Sequence, residues 1–214
     1  MIKTENKPAK KRGDIIYRTI NGQTKQYKIL FSKRQVKLGV RKIARNIYNY
    51  CKENNIKQIV FVAIAIGGIN VMADLERAMY YEADTQKKKN GKRYNIEIKT
   101  TIIAMKKNYQ GDQMVNCQRI ITHAPDVDLI ENRQVFIIDN LLATGLSMQA
   151  AIEKIKSMNP KNIYSVVFLD TKNTSDLIPD FTGIRYKKRE VFLYGYGLDN
   201  KDAVRGDKYI YEDL

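Results

Sequence analysis

The sequence predicts an α/β protein built on a parallel sheet with helices on both faces, and three observations carry that expectation. Residues 58–66 after Gln58, Val135–Ile138, and 163–169 apart from Ser165 are apolar runs, as strands covered on both faces require. The first two are followed by apolar residues at helical spacing: Val71, Met72 and Leu75 in one case, and Met148, Ala151, Ile152, Ile155 and Met158 in the other. Strands alternating with helices imply βαβ crossovers, and hence a parallel sheet.

The elements follow in order. Residues 1–13 carry Lys3, Lys7, Lys10, Lys11 and Arg12 around Pro8 without apolar periodicity and read as a basic flexible arm. Ile15–Thr19 and Thr24–Ile29 flank Asn21-Gly22, a dipeptide suited to a tight turn with positive φ, which predicts a hairpin. Ser32 can cap a helix over 33–54, whose Val36, Val40, Ile43, Ala44 and Ile47 share one face. Strand 58–66 then meets Gly67-Gly68. The run Lys87 to Arg93 reads as an exposed loop before a strand over 94–104. Residues 106–119 are polar, with Gly111-Asp112, and read as the longest mobile loop. Strand 163–169 closes the parallel set, and 170–214 return as short strands and loops. No internal repeat is visible.

With 214 residues the chain suits one domain with a substantial core. Its 38 Lys+Arg against 23 Asp+Glu give a formal charge of +15, which calls for an anionic partner. A small phosphorylated substrate uses only a few cations, so the surplus is a solvated basic surface, or a nucleic-acid footprint if it clusters. Cys51 and Cys117 are too few for a disulfide framework, and reduced thiols in the cytoplasm are expected. No apolar run approaches the roughly 18 residues of a membrane span. His123 lies in a polar stretch and reads as a surface residue.

The most informative stretch is VFIIDNLLATGLSM, residues 135–148. Asp139 and Asn140 sit at the carboxyl end of a strand, where ligands bind in open α/β sheets. The small-residue loop Ala143-Thr144-Gly145-Leu146-Ser147 offers backbone N–H groups, two hydroxyls and a helix N-terminus to an anion. Read alone, such a loop could equally be a βα turn capped by Ser147. A phosphate loop directly behind an Asp-Asn pair that can bond sugar hydroxyls suits a ribose 5-phosphate.

This stretch resembles the phosphoribosyl-diphosphate (PRPP) signature of the type I phosphoribosyltransferases, and three further blocks are similar to hypoxanthine-guanine phosphoribosyltransferases. They are ILFSKRQVKLGVRKIARNI (29–47), VAIAIGGINVMADL (62–75) and FLYGYGLDNKDAVRGDKYIY (192–211). The resemblance implies a parallel-sheet core over about 35–170. A small hood would come from 14–34 and 170–214, so that residues 14–214 form the transferase domain. It implies a magnesium-dependent purine salvage enzyme, working as a homodimer or homotetramer. Asp139 and Asn140 would act at the ribose, with Asp139 and Asp199 holding Mg²⁺. Residues 143 to 147 would bind the 5-phosphate, while Ile66, Gly67, Gly68 and Arg205 would bind pyrophosphate. Lys172, Phe192 and Leu193 would bind the base.

The chain departs from the family pattern in places. Ile66 replaces a basic residue, Asn140 replaces a second acid and Ala143 replaces an aspartate. Lys172 stands one position later than the family lysine, with Thr171 directly after Asp170. The L-L-A-T-G run is similar to adenine phosphoribosyltransferases, which also carry alanine there. These departures and the charge support an alternative expectation: a catalytically weakened regulator that binds PRPP or a nucleotide and RNA or DNA.

Overall fold

The computed structural model describes residues 10–20, 23–110, 113–171, 176–187, 192–198 and 205–213; at 18–20, 23, 90, 107–110, 113–118 and 213 it describes the backbone only. In chain order the elements are β1 (Ile15–Ile20), β2 (Gln23–Phe31), α1 (Lys33–Glu53), β3 (Gln58–Ala65), α2 (Gly67–Asn90), β4 (Glu97–Gln110) and β5 (Gln113–His123). They continue with α3 (Val127–Ile130), β6 (Gln134–Leu142), α4 (Leu146–Lys156), β7 (Asn162–Asp170), β8 (Phe181–Arg185), β9 (Leu193–Tyr194) and β10 (Ile210–Asp213).

The central sheet has the order β5-β4-β3-β6-β7-β8, parallel throughout except for β5. Its apolar strands are buried on both faces because successive side chains alternate. Phe61, Phe136, Ile138, Val166 and Phe168 face the core under α1 and α2. Val60, Val62, Val135, Ile137 and Val167 face a second core that includes Met148, Ala151 and Ile155 of α4. Each fully buried side chain of this kind contributes about 1.5 to 3 kcal/mol.

Helix α1 starts at a capping box. The Ser32 hydroxyl accepts from the Gln35 amide at 3.4 Å, and the Gln35 side chain accepts from the Ser32 amide at 3.0 Å. All five residues expected on its apolar face are buried. A separate antiparallel sheet, β1-β2-β10-β9, joins N-terminal and C-terminal strands. The expected hairpin is present as β1 and β2 in register from Ile15↔Lys28 to Ile20↔Gln23, with Asn21-Gly22 outside the described residues. In the expected arm, residues 1–9 lie outside the described residues. Arg12 lies over the Phe31 ring at 5.8 Å, and Gly13 donates its amide to Ile29 at 2.8 Å.

Three expectations are corrected. The stretch 106–119 is not a long loop: β4 and β5 run through it as an antiparallel hairpin, pairing Lys107↔Arg119 and Tyr109↔Met114. Ladder hydrogen bonds hold it, so its polar composition hid it from an apolar pattern. Lys87, Lys88 and Lys89 belong to the last turn of α2, where three cations face the negative end of the helix dipole. Strand β7 does not close the sheet, since β8 pairs parallel to it at Val167↔Thr182 and Leu169↔Ile184.

Gly91 ends α2 in the left-handed region at φ 70°, its amide bonded to Lys87 O at 2.8 Å. Space around it is open, so only the backbone conformation resists a side chain. We expect Gly91→Ala to lose about 1 kcal/mol in urea unfolding; no loss would place the end of α2 elsewhere.

Candidate active site

Strand β3 pairs with β4 on one side and β6 on the other, so the chain reverses its direction of travel across the sheet between β3 and β6. A crevice opens at the carboxyl ends of such a pair. Here it encloses about 550 Å³, lined by Ile64, Ala65, Ile66 and Gly67 after β3, Ala104 and Met105 of β4, and Asp139, Asn140, Leu141 and Ser147. Gly197, Leu198 and Arg205 cover it from the C-terminal segment.

The glycines at the end of β3 permit this convergence. A Cβ on Gly67 would lie 2.6 Å from Asn140 Oδ1, and one on Gly68 would strike the backbone oxygen of Ile138. The Ala65–Ile66 peptide is cis, and the Ile66 side chain is 62% exposed. Gly197 has φ 87°, where a Cβ would strike the backbone oxygen of Gly67 and lie 2.9 Å from Asn140 Nδ2. Asn140, which is buried, therefore packs between the two segments.

Asp139 ends the apolar part of β6 and is partly open to the crevice. Burial pushes its carboxyl up to about 7, opposed by the amides of Asn140 and Leu141, with Asn140 N 2.8 Å from Oδ1. Downstream, Gly145 takes φ 80° and precedes α4, which has neither a side-chain cap nor an acidic residue in its first turn. Ser147 is thus the second helical residue, not the cap. Its hydroxyl accepts from Arg119 Nε at 3.1 Å. Sequence reasoning missed Arg119, because only the β4–β5 hairpin carries it back to α4; its basic character was the one available signal. Thr144 is exposed, and Ala143 and Leu146 are partly buried.

Arg205 is fixed at the rim: its Nη1 donates to Gly197 O at 3.1 Å, while its own carbonyl accepts from Gly197 N and Asn70 Nδ2, both at 2.8 Å. Tyr196, at φ 52° between two left-handed glycines, donates to Asp74 Oδ2 at 3.0 Å. Burial and that carboxylate push the ionisation of the Tyr196 phenol up.

The structure therefore brings together Ile66, Gly67, Asp139, Asn140, Ser147 and Arg205. Gly68 lies directly beneath, against β6. Phe192 is 77% exposed at the head of β9, and it and the partly buried Leu193 are not among the crevice-lining residues. Lys172 and Asp199 lie outside the described residues, as does the side chain of Cys117. His123 is exposed and Cys51 is a buried free thiol. Among the described residues, no three His, Cys, Asp or Glu side chains cluster to hold a metal, and no helix is long and apolar enough to cross a membrane.

A family model for phosphoribosyl transferase domains matches residues 26–201, and the chain belongs to that family. The hypoxanthine-guanine phosphoribosyltransferase of Aquifex aeolicus is 27% identical over 195 residues, covering 88% of this chain and 97% of that protein. The enzyme of that name from Dictyostelium discoideum is 23% identical over 185 residues, covering 86% and 93%. In fold, the chain matches the hypoxanthine phosphoribosyl transferase of Trypanosoma cruzi with a TM-score of 0.73 at 20% identity, covering 87% of this chain and 91% of that one. Relatives named as transferases favour the enzymatic reading over the regulatory one.

The raised Asp139 carboxyl has a consequence for stability. The folded state holds its proton up to about pH 7, whereas the unfolded chain releases it near pH 4, so between those values folding loses free energy as pH rises. Asp139→Asn should therefore stabilise the protein at pH 8 by about 4 kcal/mol and leave it unchanged at pH 3.5. Thermal unfolding at both pH values checks this, and an equal effect at both would refute it.

Proposed function

We propose that this phosphoribosyltransferase moves the phosphoribosyl group of PRPP onto a purine base and releases pyrophosphate, in nucleotide salvage. The observation that carries the reading is the crevice at the β3–β6 switch point, where an acid, two glycines, an arginine and a helix N-terminus meet. The sugar phosphate would sit with its 5-phosphate on residues 143 to 147 and its diphosphate along Ile66, Gly67, Gly68 and Arg205. As the C1–oxygen bond to pyrophosphate breaks and a base nitrogen attacks C1, positive charge develops on the ribose. The Asp139 carboxylate would stabilise that charge, and Asn140 would bond a ribose hydroxyl.

Mg²⁺ is expected with the substrate. A single, partly buried carboxylate lining the crevice fits a cation that takes most of its ligands from phosphates and water. Asp139 and Asp199 would hold it, and it would neutralise charge on the leaving diphosphate. Phe192 would stack on the base, Leu193 would present backbone groups to its edge, and Lys172 would select an oxygen at the purine 6-position. A cytoplasmic homodimer or homotetramer accords with the relatives' family and the free Cys51.

The test is nucleotide formation from PRPP and Mg²⁺ with hypoxanthine, guanine, xanthine or adenine. We expect hypoxanthine and guanine to react; a preference for adenine would replace the Lys172 assignment with the one implied by L-L-A-T-G, and no product with any base would overturn the transferase reading. Because the ionised carboxylate is the working form, kcat/KM for PRPP should rise with pH and level off above about 7. Asn140→Asp adds a second charge and should raise the rate about tenfold for each 1.4 kcal/mol regained; an unchanged rate would remove Asn140 from the ribose site.

A further inference from the structure

We propose that Arg119 is the cation of the 5-phosphate site, binding the phosphate monoester of the sugar together with the first turn of α4. This rests on the reading that residues 143 to 147 hold that phosphate. Direction is imposed by the strand: Arg119 and Ile121 lie on the same face of β5, and Ile121 packs into the core that contains Met148 of α4. The guanidinium is thereby carried to α4, with Nε 3.1 Å from Ser147 Oγ.

That placement is electrostatically informative. The start of a helix carries about half a positive charge, and a guanidinium brought against it adds repulsion. The first turn of α4 itself contains no acid. A phosphate dianion between them attracts both. The hydrogen bond also sets the chemistry of Ser147: its oxygen accepts from Arg119, so its own proton is the one left to donate to an anion. A guanidinium adds charge-assisted donors to the backbone amides, suiting a phosphate better than a neutral hydroxyl would.

The experiment is calorimetric titration of the full chain with ribose 5-phosphate and, separately, with pyrophosphate, which belongs to the other end of the crevice. Arg119→Gln should weaken ribose 5-phosphate by about tenfold or more and leave pyrophosphate within about twofold. Arg119→Lys, which keeps charge and stem but loses the planar fork, should lie between the two and carries the same contrast if the glutamine variant does not fold. Unchanged ribose 5-phosphate affinity, or equal losses for both ligands, would overturn the assignment of Arg119. If the unsubstituted protein binds neither PRPP nor ribose 5-phosphate, the site reading itself falls.

Discussion

The crevice depends on one close approach: the backbone of Gly68 lies so near the carbonyl oxygen of Ile138 that no Cβ fits between them. With α2 seated that deep, Gly67 meets Asn140 and the C-terminal turn at Gly197 can close on Gly67. Two strands that are neighbours in the sheet thus become neighbours in chemistry. The apolar strands beneath, Phe61 and Val62 against Phe136 and Ile137, are all fully buried and keep the strand ends in fixed register. Interiors packed this densely yield little, so positions at the rim inherit the rigidity of the core.

Charge in the crevice is arranged in opposition. Asp139 holds its proton more tightly than an open carboxyl because it lies half within the sheet end, where ionisation forfeits solvation. At the other end, a helix start without an acid stands beside Arg119. A ligand that is cationic in its middle and anionic at its ends relieves both.

Much of the fold was legible because the apolar runs of β3, β6 and β7 have only one use in a chain this polar, and the α1 cap and stripe lie within single turns. Asp139 and the loop behind it were legible because strand, acid and small residues are contiguous. What escaped depends on partners distant in sequence. The β4–β5 hairpin has little apolar patterning to betray it, and the role of Arg119 at Ser147 arises only when that hairpin folds back. Likewise β8 needs β7 before its five residues read as a strand. Asn140 was expected at the site and lines the crevice, but its packing against both Gly67 and Gly197 follows from two turns whose proximity no local pattern encodes.

The second sheet pairs β2 with β10, joining Ile29 to Tyr211 through nearly the whole described chain, around a small core of Ile16, Tyr27, Ile29, Tyr194 and Tyr211. During synthesis on the ribosome the six central strands are available well before β10 emerges, and β2 must wait as an unpaired edge. Gly197 and Arg205 arrive with that late segment. A nascent chain can therefore pair its six central strands while it still lacks one wall of the crevice and the Tyr196, Leu198 and Ile210 side chains of the main core, so that wall and the last of the core arrive together.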